Sequence, residues 1–428
     1  MQVHFAYGEK GLDFMLPDDL NVEVVHSRPE EPLKDPKNEI RKAIDTPASS
    51  PPLREILKKR KNGKICIVIS DSTRPVPTRV ILEPLLELFS ELHISDVEVQ
   101  LLVATGLHRK TTPEELKRIL GKDIMIRFDI INHVAEDLSS LDFLGTNSFG
   151  TPIYINKVYL EASVKIITGY VEPHFFAGFA GGRKSLVPGI AGEQTIISNH
   201  SARNIASSHA RFGILKNNPI YEDAWEIAKM PKVKPDFLIN VCINPQHQIT
   251  KVAAGALQVY HELVQYQENL CFFDIKDPFD VIIAGNGGYP LDLNLYQAVK
   301  SMALGELGVK KGGTVISINE CKDKVGQPKF EELINFGICA EEMFDKVTNG
   351  VITCKDQWEI QALTRVLSHC NVIVVSSMKE VELGNIGLKW AESVEKAIEW
   401  CCKQYGSSMR VLVLPDGPAI IPRIIQKG

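Results

Sequence analysis

The sequence contains no Cys-x-x-Cys pair, no run of eighteen apolar residues and no strong excess of either charge. Each absence closes a class of function. Nine cysteines lie between Cys66 and Cys402, and only Cys401 and Cys402 are neighbours. An odd count without paired spacing argues for reduced thiols, and against a cysteine-based zinc or iron–sulfur site. Without a long apolar run, no membrane span is expected. A formal net charge of -5 offers no basic field to nucleic acid or to an anionic membrane. The first residues, Met-Gln-Val-His-Phe-Ala-Tyr-Gly, have neither the basic nor the apolar region of a secretory signal. Together these features predict a cytoplasmic protein with neither nucleic acid nor membrane as partner. No repeat of solenoid period and no low-complexity tract is present either.

What is present is an ordinary globular composition, 44% hydrophobic and 24% charged, over 428 residues, long enough for two or three domains. Buried-strand signals fall at residues 64–70, 97–104 and 164–168, with helix signals at 78–92 and 113–120. Pro113 just inside a helix and Gly121 just beyond it follow the usual asymmetry of helix ends. Residues 27–52, rich in Pro, Glu, Lys and Ser, read as an irregular surface connection. Helix signals at 219–229 and 256–269 precede a second series: strands at 279–284, 313–318, 370–376 and 410–415, and a helix at 295–307. Strand then helix, repeated, predicts parallel sheets with helices on their faces. The expected fold is α/β: two α/β lobes with mostly parallel sheets enclosing an interdomain cleft. The boundary near residue 270 gives an N-terminal α/β domain over 1–270 and a C-terminal one over 271–428.

The polar clusters stand where strands end, which is where α/β sheets place ligands. The richest is Gly169-Tyr-Val-Glu-Pro-His174-Phe-Phe-Ala-Gly178-Phe-Ala-Gly-Gly-Arg183-Lys184-Ser185, with His200 sixteen residues after the lysine. It is not a P-loop, because Arg183 stands where G-x-x-x-x-G-K-[ST] needs glycine. Lys184 is a candidate covalent attachment point if burial frees its lone pair; the plainer alternative is a solvated basic pair, Arg183-Lys184, capping the loop. His174 and His200 are candidate metal ligands or acid/base groups, and their spacing is not that of a helical zinc site.

Ser70-Asp71-Ser72-Thr73-Arg74-Pro75 follows the first strand, where free N–H groups and Arg74 suit a carboxylate or phosphate. His108 follows the second strand in Ala104-Thr-Gly-Leu-His-Arg109, with a pKa range suited to proton transfer. In the second lobe Gln297 and Lys300 share a helical face after a glycine loop. Trp358, between acidic residues, is placed to cover a pocket or to pack. His133, His209, His247 and His261 have no glycine-loop context and read as structural.

Taken together, six segments resemble the lactate racemase family in order along most of the chain: Ser70-Asp-Ser-Thr-Arg-Pro-Val-Pro77, Ala104-Thr-Gly-Leu-His-Arg109, Glu172-Pro-His-Phe-Phe-Ala-Gly178, Gly181-Gly-Arg-Lys-Ser185, Ser198-Asn-His200 and Tyr296-Gln-Ala-Val-Lys300. The resemblance implies an isomerase that racemises or epimerises a 2-hydroxy acid, such as lactate. It implies a nickel-pincer nucleotide as cofactor, a pyridinium-3-thioamide-5-thiocarboxylic acid mononucleotide with nickel, supplied in the cell by biosynthetic partner enzymes. Lys184 would carry that cofactor covalently and His200 would be the protein ligand to nickel. His108 and His174 would be the paired acid/base groups. Asp71, Arg74, Tyr296, Gln297, Lys300 and Trp358 would bind substrate or line its pocket, with Asp71 orienting His108. The family's lactate enzymes often read Asp-His-Thr-Arg where this chain reads Asp71-Ser72-Thr73-Arg74, which bears on the identity of the acid more than on the chemistry.

That chemistry suits the residues. Removing the α-proton of a 2-hydroxy acid is opposed by its carboxylate. Passing a hydride to an electron-poor cofactor while a base takes the hydroxyl proton avoids the dianion. Two enantiomers present their hydroxyls on different sides, so two bases on separate loops are needed. The alternatives are a nicotinamide-dependent hydroxy acid dehydrogenase, although G-x-G-x-x-G is missing after the first strand, and a non-catalytic two-lobe carboxylate- or sugar-binding protein.

Overall fold

A computed structural model of the chain describes residues 1–28, 30–354 and 356–425. The chain divides into two compact units. One comprises Pro29–His200 and His209–Glu268; the other comprises Met1–Arg28, Ser201–Ser208 and Asn269–Gly428. Each is an α/β unit built on a six-stranded, mostly parallel sheet. Among the described residues no helix is long and apolar enough to cross a membrane.

In the first unit the strand order is Ile249–Gly255, Phe237–Ile243, Val164–Tyr170, Ile65–Ser70, Val99–Ala104 and Asp129–Asn132. Only the Ile249–Gly255 strand runs antiparallel to its neighbour. Ile65–Val68 are fully buried because helices cover a parallel sheet on both faces. The helix Pro113–Leu120 starts as its sequence dictates: Thr112 accepts from the Glu115 amide, Glu115 caps in return, and Gly121 closes the helix at φ 84°. The helix Pro36–Asp45 lies inside the stretch expected to be irregular. Asp35 caps it, accepting from the Asn38 amide at 3.1 Å. Ile40 and Ile44, four apart on one face, are both fully buried and outweigh the polar neighbours.

In the second unit the order is Lys389–Trp390, Asn371–Val375, Val309–Ile318, Phe279–Gly285, Arg410–Leu414 and Asn21–Val24, all parallel. Residues 1–28 therefore join the unit of 269–428, where the sequence had placed 1–270 in one domain. Asn21–Val24 pairs with Arg410–Leu414, almost four hundred residues away. Val3, Phe5 and Phe14 pack into the same core as Val281, Ile316 and Val411.

Candidate functional site

In the first unit the polar side chains singled out above sit on loops leaving adjacent strands. The strand Ile65–Ser70 delivers Asp71, Val99–Ala104 delivers His108, and Val164–Tyr170 leads into the glycine-rich segment. Asp71 is buried, with 4% of its surface exposed. One of its oxygens accepts from the Thr73 amide at 3.1 Å and the Thr73 hydroxyl at 2.7 Å. The other accepts from His108 Nδ1 at 2.6 Å. Burial works to raise the Asp71 pKa, but the charge and hydrogen bond of His108, then Arg74 and Thr73, outweigh it and hold the carboxyl below its ordinary value. An ionised Asp71 fixes the His108 tautomer with its proton on Nδ1, which leaves Nε2 as the proton acceptor. The His108 side chain is 27% exposed, so that nitrogen is not sealed in the core. Arg74 Nη1 donates to the Thr73 carbonyl and hydroxyl, each at 3.2 Å, which sets the guanidinium on the same turn.

The Phe176 ring gathers three further side chains. His174 lies 4.6 Å from it edge-on, His200 lies 5.1 Å from it edge-on, and Lys184 Nζ is 5.6 Å from its centroid. His174 and His200 are both buried. His174 Nδ1 accepts from the Ala177 amide at 3.3 Å. Burial, and then the charge of Lys184, push the His200 pKa down to about 3, so its imidazole is neutral at ordinary pH. The loop is bent by glycines that other residues cannot replace. Gly181 has φ 77°, and a Cβ there would stand 2.7 Å from the Tyr170 carbonyl. Gly182 has φ 56°, and its Cβ would stand 2.7 Å from the Tyr260 ring. The Gly182 amide donates to Asn240 Oδ1 at 2.7 Å, and Ser185 Oγ donates to the Thr168 carbonyl at 3.0 Å. The two loop systems touch through the Gly106 amide, which donates to the Gly189 carbonyl at 3.0 Å.

His133 cements that junction. Thr105 Oγ1 donates to its carbonyl at 2.6 Å, and its Nε2 lies 2.9 Å from the Ala191 carbonyl. Burial pushes its pKa down to about 4. An unfolded His133 takes up a proton as pH falls through its ordinary value, whereas the folded one does not until about 4. The stability that His133 contributes is thus fully present above the unfolded pKa and is lost as pH falls toward the folded value. The fall from 6.5 to about 4 corresponds to about 3 kcal/mol at most. Denaturant unfolding of the apoprotein at about pH 7.5 and about pH 5 should show wild type losing more stability than His133→Gln, by roughly 2 kcal/mol. Equal losses would remove His133 as the source.

In the second unit, Tyr296, Gln297 and Lys300 lie on the helix Leu295–Glu306, capped by Asn294, which accepts from the Gln297 amide at 3.0 Å. Lys300 Nζ donates to Gln297 Oε1 at 2.6 Å, and Trp358 Nε1 donates to the Tyr296 hydroxyl at 2.8 Å. Tyr296 and Trp358 are buried. Burial first, and then Asp356 and Glu359, push the Tyr296 phenol well above its ordinary value. These four side chains thus form one pair of neighbouring contacts within their own unit.

The sequence reading missed Phe176, Thr73 and Asn240. The aromatic doublet Phe175-Phe176 between His174 and Gly178 was the available signal for the first. It also offered Arg183 as half of a solvated pair. Arg183 is in fact fully buried.

A nickel-bearing, lysine-linked group fits the donors present. Among the described residues no group of three His, Cys, Asp or Glu side chains that could hold a metal ion is found. His200 offers one neutral imidazole, and both it and Lys184 stand against the Phe176 ring.

Comparison with known proteins agrees in extent. The family model "Lactate racemase N-terminal domain" matches residues 7–213, and "Lactate racemase C-terminal domain" matches residues 275–422. The chain is 34% identical over 427 residues to the lactate racemase of Thermoanaerobacterium thermosaccharolyticum, covering 98% of this chain and 99% of that one. It is 37% identical over 386 residues to the lactate racemase of Lactiplantibacillus plantarum, covering 89% and 90%. The solved lactate racemase apoprotein from T. thermosaccharolyticum superposes with a TM-score of 0.91 at 32% identity, over 99% of this chain and 100% of that one. A Thermotoga maritima protein at 19% identity and a TM-score of 0.72 shares the fold.

Proposed function

The chain belongs to the lactate racemase family and is an isomerase, and on that premise we propose that it racemises or epimerises a 2-hydroxy acid, lactate or a close relative. Membership sets aside the dehydrogenase and the non-catalytic binding protein. The observation that carries the proposal is the gathering of Lys184, His200 and His174 around Phe176, beside an Asp71–His108 pair on a neighbouring loop.

In this reading Lys184 carries a nickel-pincer nucleotide and His200 ligates its nickel; when bound, that cofactor supplies the hydride-accepting carbon. The remaining tasks fall to the chain. His108 Nε2 takes the hydroxyl proton of one enantiomer, and Asp71 stabilises the imidazolium that results. His174 serves the other enantiomer from its own loop; its Nδ1 now accepts from the Ala177 amide, and that bond must be released for Nε2 to act as the base, so that one histidine takes a proton and the other returns one in each turnover. Arg74 grips the substrate carboxylate in bidentate fashion. The family resemblance also assigns Gln297 and Lys300 to substrate oxygens, and Tyr296 and Trp358 to the pocket lining. The enzymes that build the cofactor are its partners in the cell.

The test is to prepare the protein with those enzymes, verify nickel content, and offer a panel of enantiopure 2-hydroxy acids deuterated at C2. At least one acid is expected to become racemic by chiral chromatography without added NAD. Its C2 deuterium should be retained in ordinary water, because a carried hydride does not exchange with solvent as an abstracted proton does. Nickel-loaded protein that leaves every acid optically pure would overturn the proposal; racemisation with washout of the label would overturn the hydride route alone.

A further inference from the structure

Among the described residues Arg183 is the largest fully buried side chain, and neither the family resemblance nor the mechanism above gives it a task. Its surroundings are unusual for a cation. Nη1 donates to the Phe179 carbonyl at 3.0 Å and to the Tyr260 hydroxyl at 2.8 Å. Nη2 donates to the Ala177 carbonyl at 2.8 Å. The guanidinium carbon lies 4.5 Å from the Tyr221 ring centroid and 5.5 Å from that of Tyr260. Its Nε is buried without a hydrogen-bond partner. Burying a cation this way is costly, and a well-packed apolar residue would stabilise the fold at least as well. The guanidinium is worth its burial only for what its rigid fork holds in place.

What it holds are two segments of the site. Ala177 and Phe179 flank Gly178, and Gly178 pairs with His174 in the short ladder Pro173–His174 against Gly178–Phe179. Ala177 is held at both ends: its carbonyl accepts from Arg183, and its amide donates to His174 Nδ1. Lys184 is the next residue in the chain, its own amide bound to the Gly181 carbonyl at 3.1 Å. Gly182, on the other side, packs directly on the Tyr260 ring.

We propose that Arg183 is a positioning residue that locks the lysine loop to the hairpin bearing His174, so that the cofactor's attachment point and one acid/base group form a single rigid frame. The proposal rests on the roles given above to Lys184 and His174. Its mechanical part is independent of them. The fork carries specificity that a charge alone does not, because two carbonyls two residues apart are held by two nitrogens of fixed separation. A lysine in its place reaches one of them.

The experiment compares wild type with Arg183→Met, Arg183→Lys and Tyr260→Phe. Hydrogen exchange on the apoproteins should rise in residues 173–186 for both Arg183 variants, less for Tyr260→Phe, with the rest of the unit unchanged. In the cofactor-loaded proteins, kcat per mole of lysine adduct should fall about tenfold to a hundredfold in Arg183→Met, the range found when groups that orient a ligand are removed. Arg183→Lys should recover part of that loss, and KM should move far less. Unchanged local exchange in Arg183→Lys and Tyr260→Phe, or unchanged adduct-normalised kcat, overturns the proposal. If Arg183→Met fails to fold, the other two variants decide in the same terms. Wild-type protein whose Lys184 stays unmodified after loading would overturn the adduct reading instead, and the apoprotein exchange would still judge Arg183.

Discussion

His108→Ala and His174→Ala are each expected to lower racemisation by about 10²–10⁴-fold, the contribution typical of one positioned acid/base group. Both should leave the lysine adduct and nickel content near wild type, because neither side chain is the proposed attachment point or metal ligand. The loss must appear in both directions at once. Two enantiomers in water have equal free energy, so the ratio of kcat/KM for the forward and reverse reactions is fixed at unity in every variant, whichever histidine is removed. Asp71→Asn is the graded control. It retains an oxygen that accepts from the Thr73 amide and hydroxyl, contacts now at 3.1 and 2.7 Å, but removes the charge that stabilises protonated His108. Its effect should fall between wild type and His108→Ala. Chiral assays with each enantiomer, normalised to adduct, read all three variants. Full activity in either alanine variant would reject the two-base scheme.

The parts of the fold visible in the sequence are those set by local pattern. The run Ile65 to Ser70 is a strand because it is continuous and apolar between turn residues, and Pro113–Leu120 is a helix because Thr112, Pro113, Glu115 and Gly121 cap it at both ends. The helix Pro36–Asp45 escaped because its two buried isoleucines are outnumbered by lysines, acids and flanking prolines. The attachment of Asn21–Val24 to the second sheet escaped for a different reason: it depends on a partner strand at Arg410–Leu414, and no local feature names that partner. The site divides the same way. Histidines and a lysine among glycines at strand ends mark themselves. Arg183 does not, since a basic residue reads as solvated until two tyrosines from other helices, Tyr221 and Tyr260, are seen to enclose it. Thr73 gains its importance only once Asp71 is seen to bond it and His108 together.

Lys184→Ala is expected to produce a folded protein whose intact mass after cofactor loading equals that of its bare chain, with no detectable racemisation. The fold should survive, because the loop is held by its backbone and by Arg183 rather than by the lysine amine. The Gly182 amide bond to Asn240, the Ser185 hydroxyl bond to the Thr168 carbonyl and the Gly189 amide bond to the Lys184 carbonyl are all independent of that side chain. His200→Ala makes the complementary case. It keeps the amine, so the adduct should form and the mass shift should persist, while nickel per adduct falls. Together the two variants separate attachment from ligation: one loses the mass shift, the other loses the metal. Lys184→Arg sharpens the first of them, since it restores a positive charge at the same place without an amine able to form the thioamide, and it should be as inactive as alanine. Peptide mapping of loaded wild type provides the decisive negative. A mass shift found on any other lysine, with Lys184 intact, would detach the cofactor from the Phe176 cluster and with it the argument that His174, His200 and Lys184 serve one reaction.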